Sequence, residues 1–146
     1  MRDVRWHGWA SFLLLALCLA ACTRTSPEQA LRGQMDALQN AIEARKWGGI
    51  DEILAGDFVG NGGMDKQEAR RVAAALFMRY RNVGVSIGPL RLQMHGDDGA
   101  TVDFTAVATG GDGALPESGR IWDVTTGWRL DGNDWQLVSV EWKPKL

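Results

Sequence analysis

The spacing of the apolar residues changes once along this chain, near Val83, and that change limits the folds open to it. Before it, apolar side chains recur every three or four residues: Leu31, Met35, Leu38 and Ile42 form one stripe, and Ala69, Val72, Ala73, Leu76, Phe77 and Tyr80 form another. After it they alternate, through Val83, Val85 and Ile87, then Leu90, Leu92 and Met94, then Ala100, Val102, Phe104, Ala106 and Ala108. Helices followed by a run of strands imply an α+β domain, with N-terminal helices packed on a curved antiparallel sheet.

Local signals set the element ends. Ser26-Pro27-Glu28-Gln29 opens the first helix with a cap, a proline at the first helical position and a capping-box glutamine. Trp47-Gly48-Gly49 is expected to stop it, and a short second helix is expected over residues 50–55, ended by Gly56. Asp57-Phe58-Val59-Gly60 reads as a brief extended segment and Asn61-Gly62-Gly63 as a turn. Asp65-Lys66-Gln67-Glu68 is a second capping box, and the helix behind it is expected to face the sheet. Arg70, Arg71, Arg79 and Arg81 lie mostly off its stripe and read as a solvated face. Gly88-Pro89 breaks the strand pattern, since proline cannot donate to a ladder. A Gly-rich loop over residues 110–119 precedes a long strand, and Asp131-Gly132-Asn133-Asp134 turns into the closing one.

The front of the chain follows a different logic. Arg2 and Arg5 precede a stretch from Trp9 to Ala21 without a charged side chain. A basic start, an apolar run of about 7–15 residues and then small residues form the secretory pattern. Leu19-Ala20-Ala21-Cys22 resembles the lipobox of bacterial lipoproteins, which implies cleavage before Cys22 and a diacylglyceryl group on its thiol. The expected organisation is a signal peptide over 1–21, a lipidated cysteine and short tether over 22–25, and a single domain over 26–146. Cys18 would leave with the signal, so the mature chain has no free thiol. By the same resemblance, Thr23 in place of Asp after Cys22 implies the outer membrane, with the domain facing the periplasm. Removing Arg2, Arg5 and Asp3 takes the 16 basic and 18 acidic residues to 14 and 17. No Lys/Arg cluster suggests nucleic acid as a partner.

The element order from Ser26 to Trp142 resembles the nuclear transport factor 2-like (NTF2-like) superfamily. Asp57-Phe58-Val59 sits where that family's first short strand begins, and Asp131 to Trp142 looks like its final hairpin. The resemblance implies a cone, in which the sheet wraps round the long helix and leaves an apolar pocket at the wide end. Its members include isomerases, dehydratases, binding modules and dimerisation domains, so fold alone does not choose among them.

Acid–base chemistry would need an ionisable group inside that pocket. His95, the mature chain's single histidine, falls in a turn. Asp103, Asp123 and Arg129 alternate with the apolar positions and belong to the polar side of the sheet. They become catalytic candidates, with Tyr80, only if that polar face lines the pocket. No metal site or cofactor is expected from this composition. Trp122, Trp128, Trp135 and Trp142 crowd the last two strands and are the candidate ligand or interface residues. Trp135 and Trp142 have opposite parity, so they are expected on opposite sides of the sheet, one of them partly exposed. The resulting expectation is a lipid-anchored envelope protein with a non-catalytic domain. It would bind a small apolar ligand or an envelope protein, with a homodimer through the open sheet face as one arrangement. A small isomerase or dehydratase and a structural envelope lipoprotein are the alternatives.

Overall fold

The computed structural model describes residues 24–113 and 118–145. The signal-like segment, Cys22 and part of the Gly-rich loop lie outside these residues. Three helices come first: α1 (Pro27–Glu43), α2 (Trp47–Ile53) and, after β1 (Leu54–Val59) and a single 3-10 turn, α3 (Lys66–Arg79). The remaining strands are β2 (Asn82–Ile87), β3 (Arg91–His95), β4 (Gly99–Gly111), β5 (Ser118–Asp131) and β6 (Asp134–Pro144). All six strands form one sheet, ordered β1-β6-β5-β4-β2, with β3 also on β4.

Both capping boxes form as expected, at Ser26/Gln29 and Asp65/Glu68. The first helix, however, ends before Trp47. Arg45 takes a left-handed φ of 57°, and the amides of Arg45 and Lys46 bond back to the carbonyls of Ile42 (3.0 Å) and Ala41 (2.9 Å). This is the Schellman arrangement that satisfies the last free carbonyls of a helix. Gly48 and Gly49 then belong to the first turn of α2 rather than to a stop signal. A Cβ on Gly49 would lie 3.1 Å from that of Ala41, so its role is close helix approach. The strand likewise starts earlier than expected, taking in Leu54, Ala55 and Gly56.

The sheet is antiparallel except at β1, which runs parallel to β6. β2 and β3 lie end to end along β4, β2 against residues 106–111 and β3 against residues 99–103. The Gly88-Pro89 break separates them. β2 is an edge strand, and α1 covers its backbone at one point: the Gln39 Nε2 donates to the Val85 carbonyl (2.6 Å) and the Val85 amide donates to Glu43 Oε1 (3.0 Å). Side chains four apart on a helix thus stand in for a neighbouring strand, which blunts an aggregation-prone edge.

The two helical stripes do not play the roles expected of them. It is α1 that lies on the inner face of the sheet, burying Leu31 and Met35 against Val102, Trp128, Trp135 and Leu137. α3 was expected to face the sheet but contains no fully buried residue. It packs instead on β1 and α2, with Ala69 and Phe77 against the core and Val72 and Leu76 almost half exposed. Clamps hold its two ends. The Lys66 ammonium donates to the Asp51 and Leu54 carbonyls (2.8 and 3.0 Å), and the Arg45 guanidinium donates to the carbonyls of Phe77 and Arg81.

The last two strands correct a second expectation. On β5, Gly127 pairs with Ser139 but Trp128 pairs with Leu137, leaving Val138 as an extra residue on β6. Such a bulge reverses the alternation of side chains beyond it. Trp135 and Leu137 before it, and Val140 and Trp142 after it, therefore all face inward. The parity rule that set Trp135 and Trp142 on opposite sides assumed an unbroken strand.

Candidate functional site

The inner face is packed solid at one end and open at the other. At the closed end Trp135 is 2% exposed; its indole N–H donates to the Pro27 carbonyl (3.1 Å), and its own carbonyl accepts from Gln34 Nε2 (2.9 Å). This pins the first turns of α1 onto the β5–β6 hairpin. Toward the other end, α1 and the sheet diverge around a cavity of about 390 Å³. Met35, Leu38 and Ile42 of α1 form one wall, Phe104, Ala106 and Ala108 of β4 another, and Trp122, Val124 and Trp128 of β5 a third. Val85 and Ile87 of β2, Leu137, Val140 and Trp142 of β6 and Leu76 of α3 complete it. Trp142 reaches this wall only because of the Val138 bulge.

The lining is almost entirely hydrocarbon and aromatic. Its polar members are Gln39 and Thr126, and both are engaged by the protein. The Gln39 amide holds Val85, as above. The Thr126 hydroxyl, 3% exposed, donates to the Val102 carbonyl (3.1 Å) and accepts the Trp128 indole N–H (2.8 Å). Among the described residues, no Asp, Glu, His, Lys, Arg or Tyr lines the cavity. Nor do three His, Cys, Asp or Glu side chains converge as a metal site would require.

The catalytic candidates from the sequence are elsewhere. Asp103 and Asp123 lie on the outer face in a shallow polar groove with Arg91, Thr105, Thr125, Glu141, Lys143 and Lys145. There the Thr125 hydroxyl donates to Asp103 (2.6 Å), and Asp123 accepts from the Lys145 ammonium (3.1 Å) and the Thr105 hydroxyl (3.0 Å). These hydrogen bonds, chiefly the one from Lys145, hold the Asp123 carboxyl below the usual range. Arg129 makes a two-pronged contact with Asp57 of β1 (2.8 and 3.0 Å). That contact lowers the Asp57 carboxyl and raises the guanidinium, both groups being in solvent. Tyr80 ends α3 with its ring laid over Gly110 and the Arg79 guanidinium 5.5 Å from the ring centre. His95 is exposed and hydrogen-bonded to Thr101 (2.8 Å). The structure thus gathers Asp103 and Asp123 into one surface lattice, which does not include Arg129, Tyr80 or His95.

Of the four candidate tryptophans, Trp122, Trp128 and Trp142 line the cavity and Trp135 closes the packed end. Sequence reasoning missed the α1 wall, because Leu38 and Ile42 are indistinguishable there from core positions. It also missed Leu76, whose stripe was assigned to packing.

An α+β cone with helices on the inner face of a bent mixed sheet and an apolar cavity at one end defines the NTF2-like, cystatin-like fold. Solved structures bear this out. An NTF2-like protein of unknown function from Pseudomonas putida aligns with a TM-score of 0.65 and 18% identity, covering 77% of this chain and 82% of that one. A hexachlorocyclohexane dehydrochlorinase from Novosphingobium barchaimii aligns with a TM-score of 0.67 and 12% identity, covering 82% and 86%. A Bdellovibrio bacteriovorus protein reaches a TM-score of 0.71 at 14% identity over 80% of this chain, which spans only 41% of that one. The sequence matches no family model and no curated protein.

Proposed function

We propose that this chain is a lipid-anchored protein of the bacterial cell envelope, acylated at Cys22, whose domain binds a small apolar molecule without transforming it. The observation that carries the reading is the cavity lining: three indoles and aliphatic side chains, two polar groups already engaged, and no acid or base among the described residues. Its volume falls within the range of small-molecule pockets, which are mostly apolar and bind by burial. The fold likeness to a dehydrochlorinase raises an elimination chemistry, but removing a proton requires a base at the reacting carbon. Tyr80, Asp103 and Asp123 all lie outside the lining. The anchor rests on the basic start, the apolar run and Leu19-Ala20-Ala21-Cys22. It orients the domain toward the periplasm in an outer-membrane setting.

Native mass spectrometry of the chain from Thr23, purified gently from a bacterial periplasm, tests the ligand. An added mass that disappears on denaturation, and is absent from a cavity-blocking Ala106→Trp variant, is expected. A clean apo mass together with a reaction that Asp103→Asn abolishes would overturn the reading in favour of an enzyme. Labelled palmitate should enter the full chain and not its Cys22→Ser variant.

A further inference from the structure

The middle of α3 is apolar on all sides. Val72 to Met78 runs Val-Ala-Ala-Ala-Leu-Phe-Met without a polar residue, which is two helical turns. A helix that is apolar all round is normally buried all round. Here five of the seven residues are exposed and the other two half-buried, and Met78 is 86% exposed. The clamps at Lys66 and Arg45 fix the helix ends and leave this middle turned outward.

Its surroundings are strongly basic. From Lys66 to Arg81 there are five basic side chains, Lys66, Arg70, Arg71, Arg79 and Arg81, against one carboxylate, Glu68, in a chain whose formal charge is −2. From Ala69 to Gly96 there is no acidic residue. Among the described residues, Arg71 is the one of the four arginines with a carboxylate within 4.0 Å, that of Glu68. Basic and bare apolar side chains therefore share one exposed surface, on a molecule that is otherwise acidic.

We infer that the outward face of α3 docks on the anionic headgroup layer of a lipid bilayer. Charge complementarity argues against a second copy as the occupant. A two-fold contact through this face would set the arginines of one copy against those of the other. An anionic lipid surface supplies what the face lacks: dense negative charge for the arginines and an apolar layer just beneath for Met78 and Val72. That pairing is how interfacial helices hold to membranes. The inference does not need the acyl anchor, although a tether of three residues would hold α3 near such a surface.

Sedimentation with vesicles tests it, using the chain from Thr23, which contains every described element of the fold. Binding is expected to phosphatidylcholine vesicles containing phosphatidylglycerol, to fall with added salt, and to be negligible on phosphatidylcholine alone. Each arginine neutralised in Arg70→Gln and Arg71→Gln should weaken partitioning about fivefold, and Met78→Asp should weaken it further. All three side chains are exposed, so far-UV circular dichroism should show unchanged folding. Equal binding to both vesicle types, or binding that these variants leave intact, would overturn the inference. So would a dimer that Met78→Asp dissociates, or an acidic protein bound through α3 by a chain that ignores vesicles. The mass of any ligand in the cavity should not change in Arg70→Gln/Arg71→Gln, so failure here and failure of the pocket reading are read separately.

Discussion

Thr126→Val removes the one hydroxyl in the cavity wall among the described residues. The substitution keeps the shape of the side chain and removes the hydroxyl that accepts the Trp128 indole N–H at 2.8 Å and donates to the Val102 carbonyl at 3.1 Å. Trp128 is 2% exposed and Val102 is fully buried, so water does not readily replace the lost partner. A buried donor left without an acceptor costs about 1–3 kcal/mol. The methyl that replaces the hydroxyl returns up to about 0.8 kcal/mol of apolar burial. The net expectation is a loss of about 1–2 kcal/mol. Trp128→Phe removes the donor itself and should cost about 2 kcal/mol, through lost volume. In that background Thr126→Val should cost less, because no indole N–H remains to be orphaned and only the hydroxyl's bond to the Val102 carbonyl is lost. The double-mutant cycle should therefore show a coupling of about 1 kcal/mol or more, well above the scatter of independent sites. Urea unfolding followed by far-UV circular dichroism reads all four corners. A Thr126→Val protein as stable as the parent, or two losses that simply add, would refute this account of the wall.

Other consequences are as direct. A Cβ at Gly110 would meet the Tyr80 ring at 2.9–3.0 Å, so Gly110→Ala should lower stability by about 1–3 kcal/mol, and Tyr80→Ala should relieve most of that in a thermal melt. Arg129 holds the Asp57 carboxyl below its ordinary range. A depressed folded-state value means the pair contributes above roughly pH 4 and its contribution is lost as pH falls through the folded value. Arg129→Met should return the Asp57 titration to the ordinary range in a carboxyl NMR experiment. Trp122→Ala should weaken binding of an apolar probe about tenfold, equivalent to roughly 1.4 kcal/mol of lost contact, read by quenching of the remaining indoles.

The class of fold was legible because it rests on spacing alone. The change of period near Val83, the two capping boxes and the Asp131–Asp134 turn are local signals, and each appears where the residues place it. What was not legible depends on contacts distant in sequence. Gly48-Gly49 could end a helix or admit a close neighbour, and only Ala41 decides between them. The stripes of α1 and α3 look alike, yet one lies on the sheet and the other across β1 and α2, which composition does not distinguish. The outer-face position of Asp103 and Asp123 followed from parity, and parity held through β4 and β5 because both are unbroken. It failed in β6, where no glycine marks the extra residue at Val138.

That extra residue has a consequence beyond this molecule. Leu137 and Trp142 are brought to the same wall by an offset of a single codon. Losing that codon would straighten the strand and leave Leu137, Val140 and Trp142 on the same wall, with the spacing between them one residue shorter. A protein of this architecture without the extra residue would therefore present the same lining at positions displaced by one along the final strand. Comparing relatives position by position across the final strand would mistake a shift of phase for a change of chemistry.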